Sequence, residues 1–122
     1  MGRPLGRLKI RGDYLAVAAA RTKRVMPGFV LQACLRDSGG AGVRIGFTAS
    51  RKVGNAVKRN RTKRRLRALA ERVISELGRP GMDYVLIGRQ QTAMLTFTDL
   101  EKDLRNAMNT LKQRAPNQGR SK

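Results

Sequence analysis

Residues 51–67, R-K-V-G-N-A-V-K-R-N-R-T-K-R-R-L-R, carry nine lysines and arginines and no acid. Overlapping their end and running beyond it, Leu66, Leu69, Ala70, Val73, Ile74 and Leu77 recur at helical spacing, which predicts one amphipathic helix over residues 55–77. The two halves of that helix make different demands. The second has an apolar stripe that needs a core, and two acids, Glu71 and Glu76. The first is basic almost all round, with Asn60, Lys63, Arg64 and Arg67 on one flank and Lys58, Arg61 and Arg65 on another. Like charges three or four residues apart destabilise a helix by about 0.2–0.5 kcal/mol per pair, and cations crowd the positive end of the helix dipole. Bound phosphate reverses both penalties, so this face is expected to meet a polyanion rather than water alone.

Composition narrows the partner. In a chain of 122 residues, 27 Lys and Arg against 8 Asp and Glu leave a net charge of +19, and nucleic acid is the default partner for such a balance. The length suits a single domain with a modest core. No segment is apolar for long enough to span a bilayer, and the basic block lacks the interleaved Trp, Phe and Leu of an interfacial helix, so no membrane partner is expected. The first ten residues, MGRPLGRLKI, carry charge without the apolar region and cleavage site of a secretory signal, and a cytoplasmic location is expected. Cys34 is the only cysteine; it excludes an internal disulfide and reads as a small buried packing residue. Histidine is absent, and among the scattered acids only Asp99, Glu101 and Asp103 lie close together, at a helix start. No catalytic residue and no protein-held metal are therefore expected: hydrolytic chemistry by the polypeptide itself lacks a general base and a ligand set.

In chain order, residues 1–7 read as a flexible basic arm. Gly12 and Asp13 open a short helix through Ala20, with Tyr14, Val17 and Ala18 on its apolar side. Tyr14 has two readings, a core ring with its hydroxyl at the rim or a surface for stacking. Arg21, Lys23 and Arg24 form a basic loop that ends at Pro27 and Gly28. Two strands follow, Phe29–Leu35 and residues 43–50, joined by the turn-rich D-S-G-G-A-G and expected to pair as a hairpin. Its core side carries Phe29, Leu31, Ala33, Leu35, Val43, Ile45, Phe47 and Ala49. The opposite side carries Val30, Gln32, Cys34, Arg44, Gly46, Thr48 and Ser50, a mixed face that suits an extended nucleic-acid strand or plain solvent. After the long helix, Arg79-Pro80-Gly81 turns into the apolar strand Met82–Gly88, a strand–helix–strand unit of the kind that is usually parallel. Thr98-Asp99-Leu100-Glu101 reads as a capping box opening a last helix with Leu100, Leu104, Ala107, Met108 and Leu111 on one face. Pro116 stops it, and residues 116–122 are expected to be a disordered basic tail, leaving 8–115 as the domain.

The residues R-I-G-F-T-A-S-R-K-V-G-N-A-V-K-R-N-R-T-K-R-R-L-R, from Arg44 onward, resemble the signature of the bacterial ribonuclease P protein component. The resemblance extends more loosely from R-L-K-I-R-G-D-Y at Arg7 to M-D-Y-V-L-I-G-R and the last helix. It implies a two-layer α/β sandwich: a mixed sheet of about four strands, three helices, and a strand–helix–strand crossover that is left-handed against the usual rule. It also implies the reaction. In that family a catalytic RNA removes the 5′ leader of precursor tRNA with magnesium ions in the RNA active site, and the protein binds that RNA and the leader without a cofactor of its own.

Carried over by position, the RNA-facing residues are Arg51, Lys52, Asn55, Lys58, Arg59, Asn60, Arg61, Lys63, Arg64 and Arg67, and the leader cleft holds Tyr14, Gln32, Thr48 and Ser50. Arginine pairs with phosphate in a bidentate fork, and a tyrosine ring stacks on an unpaired base. The sequence departs from the family at Ala18 and Gln32, where relatives often have aromatic residues, so stacking in the cleft should be weaker or differently placed. The partners implied are the catalytic RNA and precursor tRNA, with no homo-oligomer. The competing function is a structural ribosome-type RNA-binding protein with no part in cleavage. A nucleoid DNA binder is a third possibility, but the chain lacks a recognisable helix-turn-helix.

Overall fold

The computed structural model describes residues 4–36 and 42–113. In chain order its elements are β1 (Leu5–Arg7), α1 (Arg11–Ala19), β2 (Thr22–Met26), β3 (Phe29–Leu35), β4 (Val43–Ala49), a 3₁₀ turn (Arg51–Val53), α2 (Ala56–Leu77), β5 (Met82–Gly88), a second 3₁₀ turn (Gln90–Ala93) and α3 (Phe97–Gln113). The five strands form one sheet in the order β1-β4-β5-β3-β2. It is mixed, as expected: β1–β4 and β4–β5 are parallel, while β5–β3 and β3–β2 are antiparallel. The strand count is five rather than about four.

The expected hairpin of residues 29–35 with 43–50 does not form, because β5 lies between them. Phe29–Leu35 pairs with β5 along its whole length, Phe29 opposite Gly88 and Leu35 opposite Met82, and β4 pairs with the other edge of β5. The reason lies in M-D-Y-V-L-I-G itself. Most of its positions are buried on both faces of the sheet, and a strand apolar on both sides belongs in the middle. Backbone bonds fix the arrangement where Gly81 enters β5: Arg36 N donates to Gly81 O at 2.9 Å and Gly81 N to Gly42 O at 3.1 Å.

Two more expectations change. The basic loop over Arg21, Lys23 and Arg24 is largely β2, an edge strand joined to β3 by the two-residue turn at Pro27 and Gly28, with Met26 opposite Phe29. Charged side chains on an edge strand discourage pairing with foreign chains. The expected arm of residues 1–7 includes β1, parallel to β4, where Leu5 packs toward the core and the Arg7 guanidinium lies 5.3 Å from the centre of the Phe47 ring. The tail of residues 116–122, with Pro116, lies outside the described residues.

The expected core face of β3 and β4 is the real one. Phe29, Leu31, Ala33, Val43, Ile45 and Phe47 bury against Leu66, Leu69, Val73 and Ile74 of α2 and Leu100, Leu104 and Met108 of α3. Helices α2 and α3 thus make the second layer of the sandwich. Helix α3 begins two residues earlier than expected: Thr96, not Thr98, caps it, its hydroxyl accepting from Asp99 N at 3.1 Å. Starting there lets Phe97 join the core beside Leu100. Helix α1 covers part of the opposite face, where Leu8, Val17, Ala20, Cys34 and Val85 form a smaller core.

Candidate nucleic-acid interface

The motif around Gly54 is built by backbone first. At the end of β4 the chain makes the turn Arg51–Val53 and reaches Gly54 at φ 138°, a conformation that L side chains rarely adopt. Asn55 then caps α2, its Oδ1 accepting from Lys58 N at 3.0 Å. Arg59 reaches back so that its guanidinium donates to Gly54 O at 2.9 Å. Glycine, cap and arginine together set where α2 starts, and α2 runs back across the sheet from the ends of β4 and β5 where these strands leave it.

That placement decides which cations are free for a ligand. Arg51, Lys52, Lys58, Asn60, Arg61, Arg64 and Arg67 are exposed, as is Asn55, whereas Arg59 and Lys63 are half-buried. Arg65, on the flank read as basic surface, turns inward instead. Its guanidinium donates to Thr92 O at 2.7 Å and Leu95 O at 2.9 Å, holding the turn Gln90–Ala93 against α2. The other side of the first half is anchored by Thr62 and Leu66, both buried. Acids are absent from residues 50–70 and from 88–98. Those of the described residues lie elsewhere, chiefly in ion pairs: Asp83 with Arg36 and Arg44, Glu76 and Glu101 with Arg105, and Glu101 with Arg72. Hydrogen bonds that Arg44 donates to Asp83, then the charge of that carboxylate, raise the Arg44 pKa above its ordinary value, and the two glutamates that accept from Arg105 do the same for it. One end of the molecule is therefore neutralised within itself and the other is not.

The second candidate surface is the face of the sheet that α1 leaves open. Tyr14 lies half-buried at its border with its ring on Gly46; a Cβ built at residue 46 would meet two ring carbons and the hydroxyl oxygen at 2.6–2.8 Å. Its hydroxyl points to Leu8 O at 3.5 Å. Gln32 and Thr48 both lie on this face, half-buried, but in different rows: Gln32 is level with Val85 and Gly46, and Thr48 with Ile87 and Val30. The inserted β5 separates them, and Val85 and Ile87 become part of the floor. The alternation in V-L-I is the signal that could have located them, once β5 is recognised as central. Ser50 lies at the far end of the cleft, in a groove of about 380 Å³ that it lines with Lys52, Ile87, Gly88, Arg89, Gln90 and Gln91. The last three were not singled out from the sequence, since a polar stretch after a strand carries no local mark of a site.

Comparison with known proteins identifies the family and the fold. The Ribonuclease P family profile matches residues 4–112. The ribonuclease P protein component of Ruegeria pomeroyi is 52% identical over 106 residues, covering 85% of this chain and 84% of that protein. That of Paramagnetospirillum magneticum is 44% identical over 111 residues, covering 88% and 84%. Among solved structures, the RNase P protein of Staphylococcus aureus superposes with a TM-score of 0.72 at 25% identity, covering 89% of this chain and 97% of that one. The protein from Thermotoga maritima gives 0.69 at 27% identity, covering 88% and 96%. An acid-free helix start held by Gly54 and Asn55, the open sheet face beside it, and matches that run through both place this chain in the ribonuclease P protein family.

Proposed function

We propose that this chain is the protein subunit of ribonuclease P, the ribonucleoprotein endonuclease that removes the 5′ leader from precursor tRNA. The observation that carries the reading is the exposed cation face of α2, Lys58, Arg61, Arg64 and Arg67 with Asn60, next to an open strand cleft and in a segment, residues 50–70, that holds no acid. The helix face binds the catalytic RNA through its phosphates. The guanidinium groups of Arg61, Arg64 and Arg67 suit bidentate pairing, and Asn60 can bond backbone or base edges. The cleft takes the single-stranded leader, with Tyr14 offering a stacking surface over Gly46, and Gln32, Thr48 and Ser50 offering hydrogen bonds.

Cleavage belongs to the RNA. The chain has no histidine to serve as a general base, and magnesium that bridges RNA phosphates would sit on the RNA rather than in a cage of protein ligands. The protein's contribution is positive charge that lets two polyanions, catalytic RNA and substrate, approach each other. That contribution should matter most when few magnesium ions screen the repulsion. No helix of the described residues is long and apolar enough to cross a membrane, and the enzyme works on RNA in the cytoplasm.

Reconstitution with the ribonuclease P RNA of the same genome tests the proposal. The complex should cut precursor tRNA at a magnesium concentration where the RNA alone is nearly inactive, and the RNA-free protein should not cut. A protein that binds the RNA without aiding cleavage would instead be the structural RNA-binding protein.

A further inference from the structure

The turn Gln90–Ala93 separates two grooves. One is the groove at the end of the strand cleft. The other, about 260 Å³, lies on the α2 side and is lined by Val53, Lys58, Arg61, Thr62, Gln90, Ala93 and Met94. Its walls are held from three directions. Gln90 Nε2 donates to Lys52 O at 2.7 Å, Arg65 bonds the carbonyls of Thr92 and Leu95, and the buried Thr92 hydroxyl donates to Gly28 O at 2.6 Å. Yet Met94 at its mouth is 78% exposed, and Val57 one turn away on α2 is 65% exposed. A rigid groove with an uncovered thioether, two cations on its rim and no acid in either lining segment suits a flat apolar group flanked by negative charge.

We propose that this groove receives one unpaired nucleobase of the catalytic RNA, seated against Met94, Ala93 and Val53, with Lys58 and Arg61 on the phosphates either side. The inference rests on the functional reading above and adds a contact of a different kind to it. A thioether packs well against an aromatic ring, and a base held this way would fix the register of the RNA on α2, which phosphate contacts alone leave loose. The leader is the less suitable occupant because the strand cleft opens on the other side of the Gln90–Ala93 turn.

Modification interference tests this. Catalytic RNA transcript carrying on average one base lesion per molecule, from diethyl pyrocarbonate or hydrazine, is partitioned at limiting protein by wild type and by Met94→Ser, a surface change that should leave the fold intact by circular dichroism. RNA bound by the wild type should be depleted of lesions at one or two unpaired positions, and RNA bound by Met94→Ser should not. Unmodified transcript should bind the variant about 5- to 10-fold more weakly with an unchanged salt dependence. Identical lesion profiles for the two proteins overturn the proposal, as does a Met94-dependent profile found only in the leader of precursor tRNA. A variant that alters only the sedimentation of RNA-free protein would assign the groove to a second copy of the chain and overturn it too. Failure of the wild type to bind the transcript would instead remove the ribonuclease P reading beneath it.

Discussion

The two halves of α2 have the same backbone and opposite tasks. In the second, Leu69, Ala70, Val73 and Ile74 are fully buried, and on the outer surface Glu76 bonds Arg105 and Arg72 bonds Glu101 across to α3. In the first, burial is limited to Thr62 and Leu66, and Lys58, Arg61 and Arg64 face outward with no acid along the helix until Glu71. The second half holds the first in place. A helix segment whose own charges repel can persist because its continuation is locked into the core, so stability and RNA binding should be separable by position along a single element.

The largest expected effect is on the buried half. Leu69→Ala leaves a cavity between α2 and the sheet and should cost about 2–5 kcal/mol of unfolding free energy. Denaturant titration measures this. Whatever fraction remains folded should bind RNA with wild-type salt dependence, while Arg64→Ala, on the exposed half, should change stability by no more than about 0.5 kcal/mol. A large stability loss from Arg64→Ala would break the division between the halves.

The sheet cleft offers the next test. Tyr14→Ala should weaken binding of precursor tRNA by about 1–3 kcal/mol through lost stacking, leave mature tRNA nearly unaffected and barely lower the melting temperature. Gly46→Ala, which drives a Cβ into the Tyr14 ring, should displace the ring and reproduce the leader-specific loss. Equal losses for both RNAs, with a lower melting temperature, would make Tyr14 a core residue and leave α2 as the sole RNA surface.

The smallest effect concerns the α2–α3 clip. A hydrogen bond from Arg105, then its charge, holds the Glu76 carboxyl below the ordinary glutamate range. Because its folded pKa is depressed, the stabilisation is complete above the unfolded-state pKa and is lost as pH falls through the folded one. Glu76→Gln should therefore lower the melting temperature slightly at neutral pH, and the gap should close in acid below the carboxylate range. A gap independent of pH would assign the loss to packing.

How much of this was legible in the sequence follows from how local each signal is. The bounds of α2, the core face of β3 and β4, and the strand Met82–Gly88 rest on periodicity over neighbouring residues, and the structure keeps them. What failed was pairing. Residues 29–35 and 43–50 look like a hairpin because they are close in sequence, but the most apolar strand, some forty residues downstream, takes the central place. The same nonlocality hid β1, three residues long and stabilised by a parallel partner remote in the chain. The basic face was legible because charge needs no partner to be recognised. Arg65 was misread for the converse reason: its carbonyl acceptors at Thr92 and Leu95 lie 27 and 30 residues away.

The central claim is that the first half of α2 binds RNA phosphate while the second half only supports it, and the salt dependence of affinity for the catalytic RNA tests it most directly. With roughly six phosphate contacts, log affinity should fall against log salt with a slope of about −4 to −5. Arg61→Ala with Arg64→Ala should flatten the slope by about 1.5, whereas Arg72→Ala, on the supporting half, should leave it unchanged. An unaltered slope in the double variant, or the same flattening from Arg72→Ala, would contradict the account.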